Sequence, residues 1–227
     1  MSEKITLVMD SSGPVLRVGV QQNGKIYSAR RKGVKQERFL LPVVQRVLAK
    51  AGAELGDIGR VFFVRGPGRF TGIRISLTFA SMLQALNGSR PCAATLFEIL
   101  YKQVTDSAAF AKWQKAYPQG IAVVVLHAFR EEYFLQFFDG KNTGPQWLGK
   151  GELLQKLAAC KKPLYLAGTD KDGLSLRGLV GDSYTIAPSA DCQLRLQTLL
   201  EMAKNPLYCK SVPQPLYLKP ARFELGQ

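Results

Sequence analysis

Residues Arg65–Ser76 read RGPGRFTGIRIS, between the short apolar run Val61–Val64 and the longer apolar stretch Ile73–Leu86. The run before it has the length of a buried strand, and the stretch after it the length of a helix. The residues between, Gly66, Pro67, Gly68, Phe70, Thr71 and Gly72, make a glycine-rich loop that opens the helix. Such a loop has two readings. A helix N-terminus offers free N–H groups to an anion, and Arg69 would add charge. Alternatively, the loop is a tight structural turn. It has neither the lysine-serine pair of a P-loop nor the spacing of a dinucleotide-binding loop, which favours the turn.

The helix that follows is apolar on more than one face, so it must be covered on more than one face. Its polar positions Thr71, Arg74, Thr78 and Ser81 recur at i, i+3, i+7 and i+10 and share a face. Three of the four are small and permit close helix approach. Upstream, Phe39, Leu40, Val43, Val44, Val47, Leu48 and Ala51 form a second apolar stripe, which Gly52 ends. Pro42 kinks a helix that starts earlier, near Lys35, and such an early start with a bend is expected. The two helices define a candidate partner surface: Phe39, Val43 and Val47 on the first, Arg74, Thr78, Ser81 and Met82 on the second. The competing reading is that they pack on each other within the chain.

Further toward the N-terminus, Ile5–Met9, Val15–Val20 and Lys25–Arg30 are strand-like. They are joined by Asp10-Ser11-Ser12-Gly13-Pro14 and by Asn23-Gly24, a strong hairpin signal. The order through about Gln103 is therefore βββ-α-β-α-β-α. Asp10 closes the first strand. A carboxylate there is how actin-like and sugar-kinase-like folds present a metal–phosphate site; an Asx turn is the plainer reading. The second half is less regular. Strands are expected at Ile121–Leu126, Tyr133–Phe138 and Leu164–Ala167. Helices are expected at Glu152–Ala159 and at Ser189–Ala203, the latter capped by Ser189 or Asp191. The tail Val212–Pro220 is extended and proline-punctuated.

Hydrophobic residues at 46% exclude disorder as the dominant state. No apolar run approaches the ~20 residues of a membrane span, and the N-terminus does not read as a signal peptide, so a cytoplasmic location is expected. The formal charge is +14, and residues 1–90 hold 15 basic against 5 acidic side chains. Arg30, Arg31, Lys32, Lys35 and Arg38 cluster with Glu37 alone among them. They are candidate RNA contacts or, equally, a solvated basic surface. Cys92, Cys160, Cys192 and Cys209 contain no C-x-x-C pair and are expected to be reduced thiols. His127 is the single histidine, so metal sites built on paired histidines are excluded; no metal, cofactor or catalytic residue is expected.

RGPGRFTGIRIS resembles the GPGSFTGxRxG signature of the TsaB (YeaZ) family, which acts in making threonylcarbamoyladenosine on tRNA. ITLVMDSSGPVLRVGV, ERFLLPVVQRVL and PLYLKP resemble, in order, the family's opening hairpin, first helix and PxYLR tail. The resemblance implies an α/β fold of the actin-like ATPase (ASKHA, RNase H-like) class, with two related subdomains and mixed sheets. The boundary is placed between residues 103 and 104. It also implies a noncatalytic subunit that pairs through N-terminal helices with a TsaD-like transferase acting on N6 of adenosine 37, a TsaE-like ATPase joining them. The same apolar helices could also serve a homodimer of the chain alone, a choice the sequence does not decide, and no membrane is involved. The chain departs from the pattern at four places: Arg69 replaces the loop serine, Lys35 or Gln36 stands near a usual histidine, His127-Ala128-Phe129 replaces D-A-R, and Lys219 replaces the tail arginine.

Three other functions compete. A glycoprotease-like hydrolase needs paired histidines that are missing. A phosphotransferase needs a second carboxylate–glycine loop, for which Asp170–Gly173 is a poor candidate. A stand-alone RNA-binding module is supported by charge alone.

Overall fold

The structure is a computed structural model and describes residues 4–33, 35–140, 144–209 and 213–219. It divides into two compact units. The first takes the chain through Leu96 and then a returning segment from Arg195 to Tyr217; the second takes the residues between, with Leu218 onward. The division expected at 103/104 therefore omits a return of the chain.

In the first unit, β1 (Ile5–Asp10), β2 (Val15–Gln22) and β3 (Lys25–Lys32) form the antiparallel meander. Asn23 and Gly24 both take positive φ in its second turn, as a tight hairpin requires. A 3-10 turn at Gln36–Arg38 leads into α1 (Leu40–Ala51). Pro42 falls in the first turn of α1, where its missing N–H costs nothing, so the expected bend is absent. Gly52 ends α1 in the left-handed conformation. Then come β4 (Ile58–Val64), α2 (Phe70–Asn87) and β5 (Arg90–Ala94). The sheet order is β3-β2-β1-β4-β5, with β4 and β5 parallel to β1. One face of the sheet packs on α1 and α2 through Leu7, Leu16, Val18, Val44, Val47, Phe63 and Leu83.

The second unit holds α3 (Leu96–Thr105, from its second residue), α4 (Ala108–Ala116), β6 (Ile121–Phe129), β7 (Glu132–Phe138), β8 (Gln146–Gly149), α5 (Lys150–Ala159), β9 (Leu164–Thr169), α6 (Arg177–Val180) and β10 (Thr185–Ile186). Its sheet order is β10-β9-β6-β7-β8. Read from the other edge, three antiparallel strands are followed by two parallel ones, as in the first unit. This repeated order is the pair of related α/β subdomains with mixed sheets that defines the actin-like class. α7 (Leu196–Ala203) then returns to the first unit and packs on β1, β2 and β4, so the first sheet is covered on its second face. α7 is shorter than the helix expected from Ser189. Pro188–Cys192 forms turns instead, with Asp191 N bonded to Pro188 O at 2.8 Å.

The cysteine reading is corrected. Cys92 on β5 and Cys209, in the 3-10 turn Pro206–Cys209, are disulfide-bonded with Cα atoms 4.4 Å apart; Cys160 and Cys192 are free. The two are 117 residues apart, so only the return of the chain brings them together. Val212 and Pro220 of the expected tail lie outside the described residues.

Candidate partner groove and the occupied glycine loop

The glycine loop is filled by the protein itself. Ser11 and Ser12, in the turn after β1, press against it. Ser11 Oγ donates to Gly72 O at 2.6 Å and meets Ser76 Oγ at 2.5 Å, while Arg69 N donates to Ser12 O at 2.7 Å. A Cβ on Gly72 would overlap Ser11 O, and one on Gly68 would stand 2.5 Å from Ser12 O. Gly66 has φ +120°, and a Cβ there would meet Leu216 O at 2.5 Å. These glycines are needed for close backbone approach within the chain. The tail completes the packing: Leu216 N donates to Arg65 O at 2.7 Å, and Tyr217 lies against the Phe70 ring with centroids 4.7 Å apart. Pro67 is buried in the same loop.

Asp10 is equally committed. It is buried; its Oδ1 accepts from Ser12 N (2.9 Å) and Ser12 Oγ (2.6 Å), and its Oδ2 pairs with Arg17 at 3.0 Å. The register Asp10↔Arg17 across the β1–β2 hairpin sets that ion pair. At the matching place in the second unit, near the end of β6, stands His127, whose ring nitrogen bonds Arg130 O at 2.8 Å across the β6–β7 turn. Among the described residues, no three His, Cys, Asp or Glu side chains are grouped to hold a metal.

What the first unit leaves open is a groove of about 430 Å³ between α1 and α2. Leu40, Leu41, Phe70, Ile75, Phe79 and Met82 line it, with Thr71 and Thr78 as small polar residues and Glu37 and Arg74 as charges. Leu41, Phe70 and Met82 are 39%, 54% and 38% exposed, and Leu86, at the far end of α2, is 74% exposed. Arg74 holds its guanidinium over the Phe70 ring, 5.1 Å from the centroid. An exposed apolar strip flanked by charges on a folded domain is a candidate contact surface.

The sequence-derived surface residues divide. Arg74, Thr78 and Met82 line the groove; Ser81 is exposed beside it. Val43 and Val47 do not reach it: they are buried in the core of their own unit, because the stripe of α1 is consumed by the sheet. Phe39 lies under the guanidinium of Arg31, 3.3 Å from its ring centroid. Leu41, Glu37 and Ile75 were missed; Leu41 and Ile75 carry an apolar signal off the main stripes. The basic cluster is exposed throughout. Arg31 points to the α1 face of β3, Arg30 and Lys32 to the other face, and Lys35 and Arg38 stand in the turn beyond. Lys219 pairs with Glu132 and lies over the Phe129 and Trp147 rings.

A repeated β-meander unit, with its strand-end carboxylate paired internally and its glycine loop packed by its own hairpin, places this chain among YeaZ-like proteins of the actin-like fold. A solved Pseudomonas aeruginosa protein described as similar to peptidase YEAZ superposes over 95% of this chain and 100% of its own, with TM-score 0.71 and 18% identity. The protein belongs to the family of tRNA threonylcarbamoyladenosine biosynthesis protein TsaB. It is 31% identical to the TsaB of Buchnera aphidicola subsp. Schizaphis graminum over 67% of this chain and 69% of that one. It is 27% identical to that of Buchnera aphidicola subsp. Acyrthosiphon pisum over 82% and 85%. The family model for TsaD, tRNA N6-adenosine threonylcarbamoyltransferase, matches residues 35–89, the segment containing α1, β4 and α2.

Proposed function

We propose that this chain is a noncatalytic partner subunit in the formation of threonylcarbamoyladenosine on tRNA, pairing through the α1–α2 groove with a TsaD-like transferase. The observation that carries the pairing is the open apolar groove, whose small Thr71 and Thr78 admit a close helix and whose Arg74 and Glu37 set register. Support for a noncatalytic role comes from Asp10, neutralised by Arg17, and from the glycine loop, occupied by Ser11 and Ser12. The TsaD-like subunit carries the transfer of threonylcarbamoyl to N6 of adenosine 37. A TsaE-like ATPase is the third component, and the groove seats a second copy of this chain when the transferase is absent. The domain with partner-binding helices is the N-terminal one, and the setting is the cytoplasm; no helix among the described residues is long and apolar enough to cross a membrane.

The test is co-purification with a TsaD-like subunit, followed by tRNA modification with and without this chain. Pairing that Thr78→Arg abolishes, together with modification that requires the pair, is the expected result. Modification at full rate without this chain would overturn it.

A further inference from the structure

We infer that the end of the edge strand β3 and the turn after it form a binding surface for the phosphate backbone of RNA, separate from the α1–α2 groove. Between residues 30 and 38 stand Arg30, Arg31, Lys32, Lys35 and Arg38 against Glu37. All five cations are exposed, and among the described residues none of them is in an ion pair. Arg30 and Lys32 are two apart on one strand face, so their stems stand roughly 6.7 Å apart and each can meet its own phosphate. The Arg31 guanidinium lies over the Phe39 ring, 3.3 Å from its centroid, a cation–π contact that limits its freedom.

The arrangement works against the protein's own electrostatics. Arg30 is the cross-strand neighbour of Arg17 on β2, and like charges directly opposite each other destabilise a sheet. Asp10 takes up the charge of Arg17, which lets Arg30 remain beside it. Charged residues on an edge strand also discourage strand addition. One or two lysines suffice for that, and it does not account for Lys35 and Arg38 beyond the strand. RNA is favoured over an acidic protein because the family acts on tRNA, and in this respect the inference rests on the proposed function.

The experiment measures binding of an unmodified tRNA transcript to the full chain across a salt series. Arg30→Gln, Lys32→Gln and Lys35→Gln are combined in one variant. A control, Lys112→Gln, Lys115→Gln and Lys161→Gln, removes the same charge from exposed positions of the second unit. The first variant is expected to lower the slope of log affinity against log salt by roughly two to three units and to weaken binding roughly tenfold or more at low salt. The control keeps the wild-type slope. Equal losses in both variants, no binding by the wild-type chain, or equal binding of poly-glutamate would each overturn the inference. Unfolding of either variant is detected by its melting curve, and Arg30→Lys with Lys32→Arg, which keeps the charge, must then bind as wild type. Thr78→Arg separates the two readings: it removes partner pairing and is expected to leave the tRNA slope unchanged. A wild-type chain that pairs with the TsaD-like subunit but binds no tRNA defeats only the present inference.

Discussion

In the first unit the helix after the fourth strand, α2, runs 18 residues; at the same place in the second unit stands α6, with four. The strand order is shared, but only the first unit builds a long helix with an uncovered apolar side, and only there does α1 pack beside it to make a groove. The ends of the first strands differ likewise. β1 ends in a carboxylate matched by Arg17, while His127 stands near the end of β6, held by a backbone carbonyl. Both units retain a glycine with positive φ after or at the end of their fourth strand, Gly66 and Gly168, each pressed against a neighbouring carbonyl. The close glycine approach thus recurs in both halves, while the internally paired carboxylate and the open apolar groove are features of the first unit alone among the described residues.

The largest expected effect is on that asymmetry. Thr78→Arg puts an unpaired charge into the groove, which costs about 3 kcal/mol or more and weakens pairing over ~100-fold. The residue is exposed in the free chain, so its melting temperature should hold within about 2 °C. Calorimetric titration with the TsaD-like subunit reads the first, a thermal melt the second. Unaltered affinity would put the interface elsewhere, and Ser81→Arg, one turn along and beside the groove, maps how far the surface extends.

Gly72→Ala in the first unit and Gly168→Ala in the second each test a glycine pressed against a carbonyl. Each Cβ runs into a carbonyl oxygen, Ser11 O or Val125 O, and each variant should lose about 2–4 kcal/mol in urea unfolding. Gly151, inside α5 with open space around it, is the reference: alanine there should stabilise by ~0.5–1 kcal/mol. If Gly72→Ala behaves like Gly151→Ala, the hairpin does not fill the loop.

Asp10→Ala removes the partner of Arg17 and two acceptor bonds, for a loss of about 2–3 kcal/mol of stability. Pairing should survive, and tRNA modification should fall less than tenfold. Complete loss of modification in an assembled complex would make Asp10 catalytic.

The smallest effect lies in the second unit. Burial, and then the hydrogen bond that Tyr133 donates to Asp170 at 2.7 Å, push the Tyr133 phenol above its ordinary value. The neutral form is favoured in the folded state, whereas an unfolded tyrosine ionises near ~10. The stabilisation is therefore complete below pH ~10 and is lost as pH rises above it, at up to ~1.4 kcal/mol per pH unit. Tyr133→Phe should cost about 1 kcal/mol at neutral pH and flatten that alkaline decline. An unchanged decline would assign it to other groups.

The meander, α1, β4 and α2 were legible because turn residues and periodicity agree there: Asn23-Gly24, Gly52 and the Val43–Leu48 stripe each point to one answer. The expectation that Val43 and Val47 face a partner failed for a physical reason. Periodicity shows that a stripe is buried and says nothing of which chain buries it. α4 was missed because only Phe110 and Trp113 mark its buried side, although Ser107, which accepts from Phe110 N at 3.1 Å, was a cap signal. β8 and β10 are too short to show a period. The pairing of Asp10 with Arg17 was within reach, since a hairpin with its turn at Ser11–Pro14 brings these two positions opposite each other.

The return of α7 has a consequence for synthesis. Val8 and Phe62 are fully buried, yet neither belongs to the core beneath α1 and α2, and α7 packs on β1, β2 and β4. α7 leaves the ribosome about a hundred residues after β5 is made, which at ~5–20 residues per second is a wait of roughly 5–20 s. During that interval the nascent sheet has one apolar face bare and Cys92 without Cys209. A polypeptide stopped at residue 103 would keep that face permanently, so it should bind a hydrophobic dye and aggregate where the full chain does neither. The first unit is early in sequence and late in completion, and the second unit has emerged before it can close.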